Sequence, residues 1–216
     1  MLITRLTMTL GLCLSLVACG AVEPPSRNAS GEPLAAISPA IAPLPVPSVS
    51  VTDVQVVVPR SLRVTEANLF LPSGDIVWRE DPAGDRYQQV QTIVQSAMER
   101  GVAGMNGPVE AILQVQLVRF HALTEKARKF TGGVHSIAFD MRLVDPATGT
   151  PLSDVRRVEA DLEAYGGKAA INAMARGETQ KRRITDHLAQ VIQQVLVDPN
   201  SYRNARLGLL QTLNKM

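Results

Sequence analysis

An α+β fold, a two-layer sandwich with a mainly antiparallel sheet and two long helices on one face, is predicted by three features of the chain. Three stretches alternate apolar and polar residues with period two, the pattern of strands with one buried face. Two others carry apolar residues at i, i+3, i+4 and i+7, the stripe of an amphipathic helix. Their order, strand, helix, three strands, helix, sets helices against one side of a single sheet.

The folded part is expected from Val49. Val49 to Val58 is β-branched and partly alternating, and Pro59 ends it as a strand. Arg60 to Leu71 is ambiguous, with Leu62 and Val64 alternating before a turn at Pro72-Ser73-Gly74. Asp75 to Arg79 forms a short strand, and Asp81-Pro82-Ala83-Gly84-Asp85 a turn that offers Asp85 as a helix N-cap. From Arg86 to Arg100 the stripe is Val90, Ile93, Val94, Ala97 and Met98, with Gly101 as its stop.

The next strand turns Val109, Ala111, Leu113, Val115 and Leu117 inward, and its successor turns in Ile137, Phe139, Met141 and Leu143. After the turn Asp145 to Thr150, Val158, Ala160 and Leu162 alternate with Arg157, Glu159, Asp161 and Glu163, completing an antiparallel meander with one wet face. Lys168 to Ala175 can begin a helix that Gly177 interrupts. The second long helix runs from about Glu178 to Val197 on Ile184, Leu188, Val191, Ile192 and Val195, stopped by Asp198-Pro199-Asn200. The tail 201–216 carries Leu207, Leu209, Leu210 and Leu213, as a short returning helix or a loose end.

Composition removes several function classes. The 216 residues carry a formal charge of +2 and only 4% aromatics, so neither a general affinity for nucleic acid nor a stacking platform for single strands follows. The two cysteines are Cys13 and Cys19. Cys13 lies in an N-terminal apolar run, which opens with Arg5 as its one charge and is too short to span a bilayer.

That run ends in Leu16-Val17-Ala18-Cys19-Gly20, which resembles a bacterial lipobox. The resemblance implies a signal peptide over 1–18, removed with Cys13. It also implies a diacylglyceryl group on the Cys19 sulfur and an acyl chain such as palmitate on its nitrogen, an effectively permanent anchor. A mature chain of this kind holds no free thiol, which excludes disulfides, cysteine catalysis and thiolate metal sites. Residues 19–48, rich in Pro, Ala and Ser, then form a semi-rigid spacer, 49–200 the α+β domain and 201–216 the tail. Gly20, where inner-membrane retention favours aspartate, points to the outer membrane, with the domain facing the periplasm.

Asp75 to Arg79, Asp81 to Asp85 and Thr179-Gln180-Lys181-Arg182-Arg183-Ile184-Thr185-Asp186-His187 resemble a family of small uncharacterised bacterial lipoproteins known only as a domain of unknown function. That likeness covers most of 49–200 and implies no activity. Behind a lipobox, a Trp closing a short strand before a helix is also similar to the auxiliary lipoproteins of envelope lipid-transport ABC systems, which assemble with envelope proteins and catalyse nothing.

No cofactor, catalytic residue or metal site is expected. His121, His135 and His187 fall on three elements without ligand spacing. Glu159, Asp161 and Glu163 alternate as solvating charges. Gly166-Gly167-Lys168-Ala169 lacks the earlier Gly and the final Ser or Thr of a phosphate loop, and no GxSxG elbow occurs. The candidate interaction residues are Trp78, as an interface anchor or a core bolt, and Lys181, Arg182 and Arg183, as a docking patch for an acidic partner or lipid head group. The expectation is a non-enzymatic module that binds an envelope protein partner through its polar sheet face or a sheet edge. The alternative is a carrier holding a lipid or other hydrophobic small molecule between helices and sheet.

Overall fold

In a computed structural model that describes residues 49–214, six strands form one mixed sheet and two long helices cover one face of it. The elements are β1 (Val49–Val57), β2 (Ile76–Val77), α1 (Arg86–Val102), β3 (Val109–His121), α2 (Glu125–Phe130), β4 (Gly133–Val144), β5 (Arg156–Glu159), β6 (Leu162–Ala164), α3 (Gly167–Ala175), α4 (Gln180–Val197) and α5 (Leu209–Asn214). The α+β class, the meander β3-β4-β5 and both long helices are as the patterns predict. The expected signal peptide over 1–18, Cys19 and the expected spacer over 19–48 lie outside the described residues.

The sheet runs β1-β3-β4-β5, with β2 beside the end of β3 and β6 beside the start of β4. β3 pairs antiparallel with β4, and β4 with β5 and β6. β1 and β2 instead run parallel to β3. The reason lies in the connection: β1 reaches β3 through the whole of α1, and a crossover of that length is what parallel pairing requires.

β3 also outruns its alternation. A bulge at Val118 shifts the register between Leu117 and Arg119, so the inward parity passes from odd to even residues and Phe120 enters the core. The outer edge of β1 is closed by side chains of α1. Gln91 donates to the Val56 carbonyl (2.9 Å), and Gln95 donates to the Val54 carbonyl (2.8 Å) while accepting from the Val56 N–H (3.2 Å). The ladder is thus finished by amides where no further strand exists among the described residues.

Asp161 departs from the surface position expected of it. At the break between β5 and β6 its carboxylate is buried and accepts from the Ile137 N–H (3.2 Å), Asn204 (2.9 Å) and Gln211 (2.6 Å). The side chain takes a ladder position that the backbone cannot fill there, and it fastens the tail back onto the sheet.

Gly101 does not stop α1, which continues to Val102. It lies where α1 crosses α4: a methyl group at this position would sit 2.5 Å from the Ala189 carbonyl oxygen and against the Ile192 side chain. Ala is favoured over Gly within a helix by about 1 kcal/mol. Overpacking against backbone costs about 1–3 kcal/mol, and the Ala189 carbonyl cannot move aside without shifting α4. Gly101→Ala is therefore expected to destabilise the protein, seen as a lower urea midpoint at unchanged slope.

Candidate functional site

The loop from β2 to α1 holds the start of α4. Glu80 accepts from the backbone N–H groups of Gln180 (3.0 Å) and Lys181 (2.6 Å), two of the donors that a helix N-terminus leaves open, and its charge opposes the helix dipole favourably. Thr179 caps the same end by accepting from the Arg182 N–H (3.2 Å). Beside Glu80, Asp81 accepts from the Trp78 indole (2.9 Å) and pairs with Lys181 (2.6 Å). Burial works against the Asp81 charge, but the hydrogen bonds from Lys181 and Trp78 outweigh it and hold the carboxyl below its ordinary range.

Two of the residues expected at an interface, Trp78 and Lys181, thus meet on one carboxylate as an internal clamp. Trp78 is fully buried, edge-on to Phe120 at 5.8 Å between centroids, so as an interface anchor it is a correction: a side chain with no exposed surface offers a partner nothing. Its indole N–H needed an acceptor to be buried, and Asp81 provides one. Arg183 lies over the Tyr165 ring at 3.6 Å and donates to the Glu163 carbonyl. Arg182 stays mostly exposed, 3.8 Å from Asp186. The basic run at the head of α4 is largely committed within the molecule.

A cluster of exposed apolar side chains lies elsewhere, in a corner that the alternation patterns do not reveal. Leu69, Phe70 and Leu71 are each 44–52% exposed in the segment before Pro72, and Phe130 at the end of α2 is 62% exposed. The Phe70 and Phe130 rings meet edge-on at 6.3 Å. Lys126 lies over the Phe70 ring at 4.8 Å and Lys129 over the Phe130 ring at 5.4 Å. The one sequence signal was three consecutive apolar residues next to a turn, which neither a strand with one buried face nor an amphipathic helix buries together.

The backbone of this corner is pinned. Thr124 donates to the Leu69 carbonyl (2.7 Å), Asn68 accepts from the Lys126 N–H (2.9 Å), and His121 Nε2 lies 3.0 Å from the Pro72 carbonyl oxygen. Glu66 takes Arg86 (2.7 Å) and Arg79 (3.0 Å), and Arg79 also reaches Glu125 (2.5 Å). The hydrogen bond from Arg86 is the main cause that holds Glu66 below the usual carboxylate range. The apolar side chains are therefore presented by a fixed frame.

Two of the three histidines are internal, and His187 is partly buried. His135 is fully buried, neither ring nitrogen has a hydrogen-bond partner, and burial, with the charges of Arg183, His187 and His121 behind it, pushes its pKa down to about 3. His121 is 3% exposed, and burial lowers His187 as well. Among the described residues no group of His, Asp and Glu is placed to hold a metal ion. Gly166 and Gly132 cross so closely that a side chain at Gly166 would land on the Gly132 backbone, which gives Gly166-Gly167 a packing reason unrelated to phosphate. A solvent-open groove of about 380 Å³ runs along α4 past Arg182, Asp186 and His187, and one of about 300 Å³ separates the tail from Tyr165 and Val134.

Comparison with known proteins gives a family. A model described as a family of unknown function, DUF6778, matches residues 49–212. No curated protein matches the chain. Among solved structures, that of a "putative lipoprotein" from Caulobacter crescentus CB15 is 13% identical over 72% of this chain and 92% of its own, with a TM-score of 0.36, a likeness too slight to bear on function.

Two outcomes test the clamp and the buried ring. Glu80→Ala removes the acceptor of two helix N–H groups and is expected to cost about 1–2 kcal/mol in urea unfolding, with Glu80→Gln losing less. For His135 the unfolded ring titrates near 6.5 and the folded one near 3, so between those values the unfolded state binds the extra proton. Stability should fall as pH drops through that window, by up to about 1.4 kcal/mol per pH unit. His135→Leu should flatten that slope in melts recorded from pH 7 to pH 4.

Proposed function

The chain belongs to DUF6778, a family of unknown function, so its role has to come from its own residues, and we infer that it is a lipid-anchored protein of the bacterial envelope. Its domain serves as a non-enzymatic interaction module in the periplasm, with the outer membrane as the favoured address. The observation that carries this reading is the sequence Leu16-Val17-Ala18-Cys19-Gly20 behind a short apolar run with a single positive charge. Among the described residues no helix is long and apolar enough to cross a membrane, so attachment through Cys19 would not duplicate a span within the domain.

Two of the three histidines are withdrawn from chemistry. The ring of His135 is sealed from any substrate, and His121 is nearly so. The space between helices and sheet is filled by Trp78, Phe120, Phe139, Ile137, Leu188 and Ile192, all fully buried, which favours an interaction surface over a carrier of hydrophobic small molecules.

Mass spectrometry of the native membrane fraction tests the anchor. The expected N-terminal peptide starts at Cys19 and carries diacylglyceryl and acyl mass, and Cys19→Ala should keep its leader and lose both additions. An unmodified Cys19 in the wild-type protein would overturn the reading.

A further inference from the structure

We propose that the corner formed by Leu69, Phe70, Leu71 and Phe130 docks on an anionic lipid surface, with the phenylalanines entering the interface and Lys126 and Lys129 meeting lipid phosphates. The proposal rests on the tethered reading above for its address, while its geometry stands separately.

Three observations carry it. The corner gathers two of the chain's four phenylalanines, both well exposed, although the domain has room to bury apolar side chains as it buries Phe120 and Phe139. Exposed aromatic and aliphatic groups on a pinned loop form a surface made for contact. Second, the charges around them sort by sign. Glu66 and Glu125 are taken up by Arg79 and Arg86, and Glu80 by the head of α4 and Arg128 at 3.6 Å. Lys126 and Lys129, both exposed, have aromatic rings as partners and no carboxylate among the described residues. Lysines beside apolar side chains are the arrangement of an interfacial anchor on anionic lipid, to which each cation adds attraction.

Third, the reach is sufficient. Val49 pairs with Val109 at one end of β3, whereas the corner adjoins the other end, past His121. Thirteen residues of β3 span roughly 40 Å. Residues 20–48, between the lipid-bearing Cys19 and Val49, can extend to roughly 100 Å, so the far end of the domain can return to the bilayer that holds the anchor. The lipid and the corner would then hold the domain to one membrane at two separate points, with the Val49 end of the sheet left free of the bilayer.

The test uses the mature lipidated chain, which on this reading has no free thiol, so Ser73→Cys adds a single labelling site next to the corner and Asp154→Cys one on the loop after β4, at the far end of the sheet. Each is labelled with an environment-sensitive dye and reconstituted in vesicles of phosphatidylcholine with or without phosphatidylglycerol and brominated lipid. The Ser73 label is expected to shift to the blue and be quenched in phosphatidylglycerol vesicles at low salt, and the Asp154 label to stay unchanged. Adding Lys126→Gln and Lys129→Gln should weaken docking roughly tenfold or more. Adding Phe70→Ser and Phe130→Ser instead should abolish it; all four positions are exposed, and an unchanged melting temperature checks the fold. Equal behaviour of the two labels in phosphatidylglycerol vesicles that retain the chain would overturn the proposal, as would a corner that responds only to an added protein. Loss of the chain from vesicles in high salt would instead report failure of the Cys19 anchor, with quenching at low salt still reading the corner.

Discussion

Two neighbouring carboxylates, Glu80 and Asp81, carry the constraint on which the arrangement of this domain depends. One neutralises the open end of α4, the other joins the Trp78 indole to the Lys181 ammonium, and together they fix the head of the second long helix to the loop leaving β2. The hydrophobic effect alone would bring α4 onto the sheet without setting its position along its axis, because apolar contact is non-directional. Charge-assisted hydrogen bonds are directional and fix that position. With α4 placed, its stripe meets α1 at Gly101, where the helices approach as closely as their backbones permit.

The same loop organises the adjoining corner at Phe70 and Phe130. Arg79 precedes Glu80 and reaches Glu66 and Glu125, and Arg128 of α2 approaches Glu80. The segment that presents Leu69 to Leu71 is thus tied to the carboxylates that seat α4, and the polar frame leaves its apolar side chains outside. Natural domains usually turn such residues inward. Here the frame holds them outward at the end of the sheet remote from Val49.

The strands of the meander, the two long helices and the Asp85 cap were legible because each is governed by a local period or a local cap. What was not legible depended on contacts distant in sequence. The parallel pairing of β1 follows from a crossover through α1, and the inward turn of Phe120 from a one-residue bulge that breaks the alternation. Asp161 looked like one of three alternating surface charges. It is buried because the ladder is interrupted beside it and because Asn204 and Gln211 arrive from the tail. Trp78 and Lys181 stand out in the sequence as candidates for an interface, but spacing could not reveal that a shared carboxylate turns them toward each other. The corner at Phe70 and Phe130 joins residues sixty positions apart, beyond the range of any periodic signal.

If the chain is lipid-anchored as proposed, the glutamines of α1 that complete the free side of β1 acquire a further meaning, because the protein is then concentrated in two dimensions. Neighbouring copies on a crowded membrane meet far more often than in free solution, and an unfinished strand is the surface on which they would stack into fibres. Gln91 and Gln95 occupy those backbone groups in advance, so that crowding need not become aggregation.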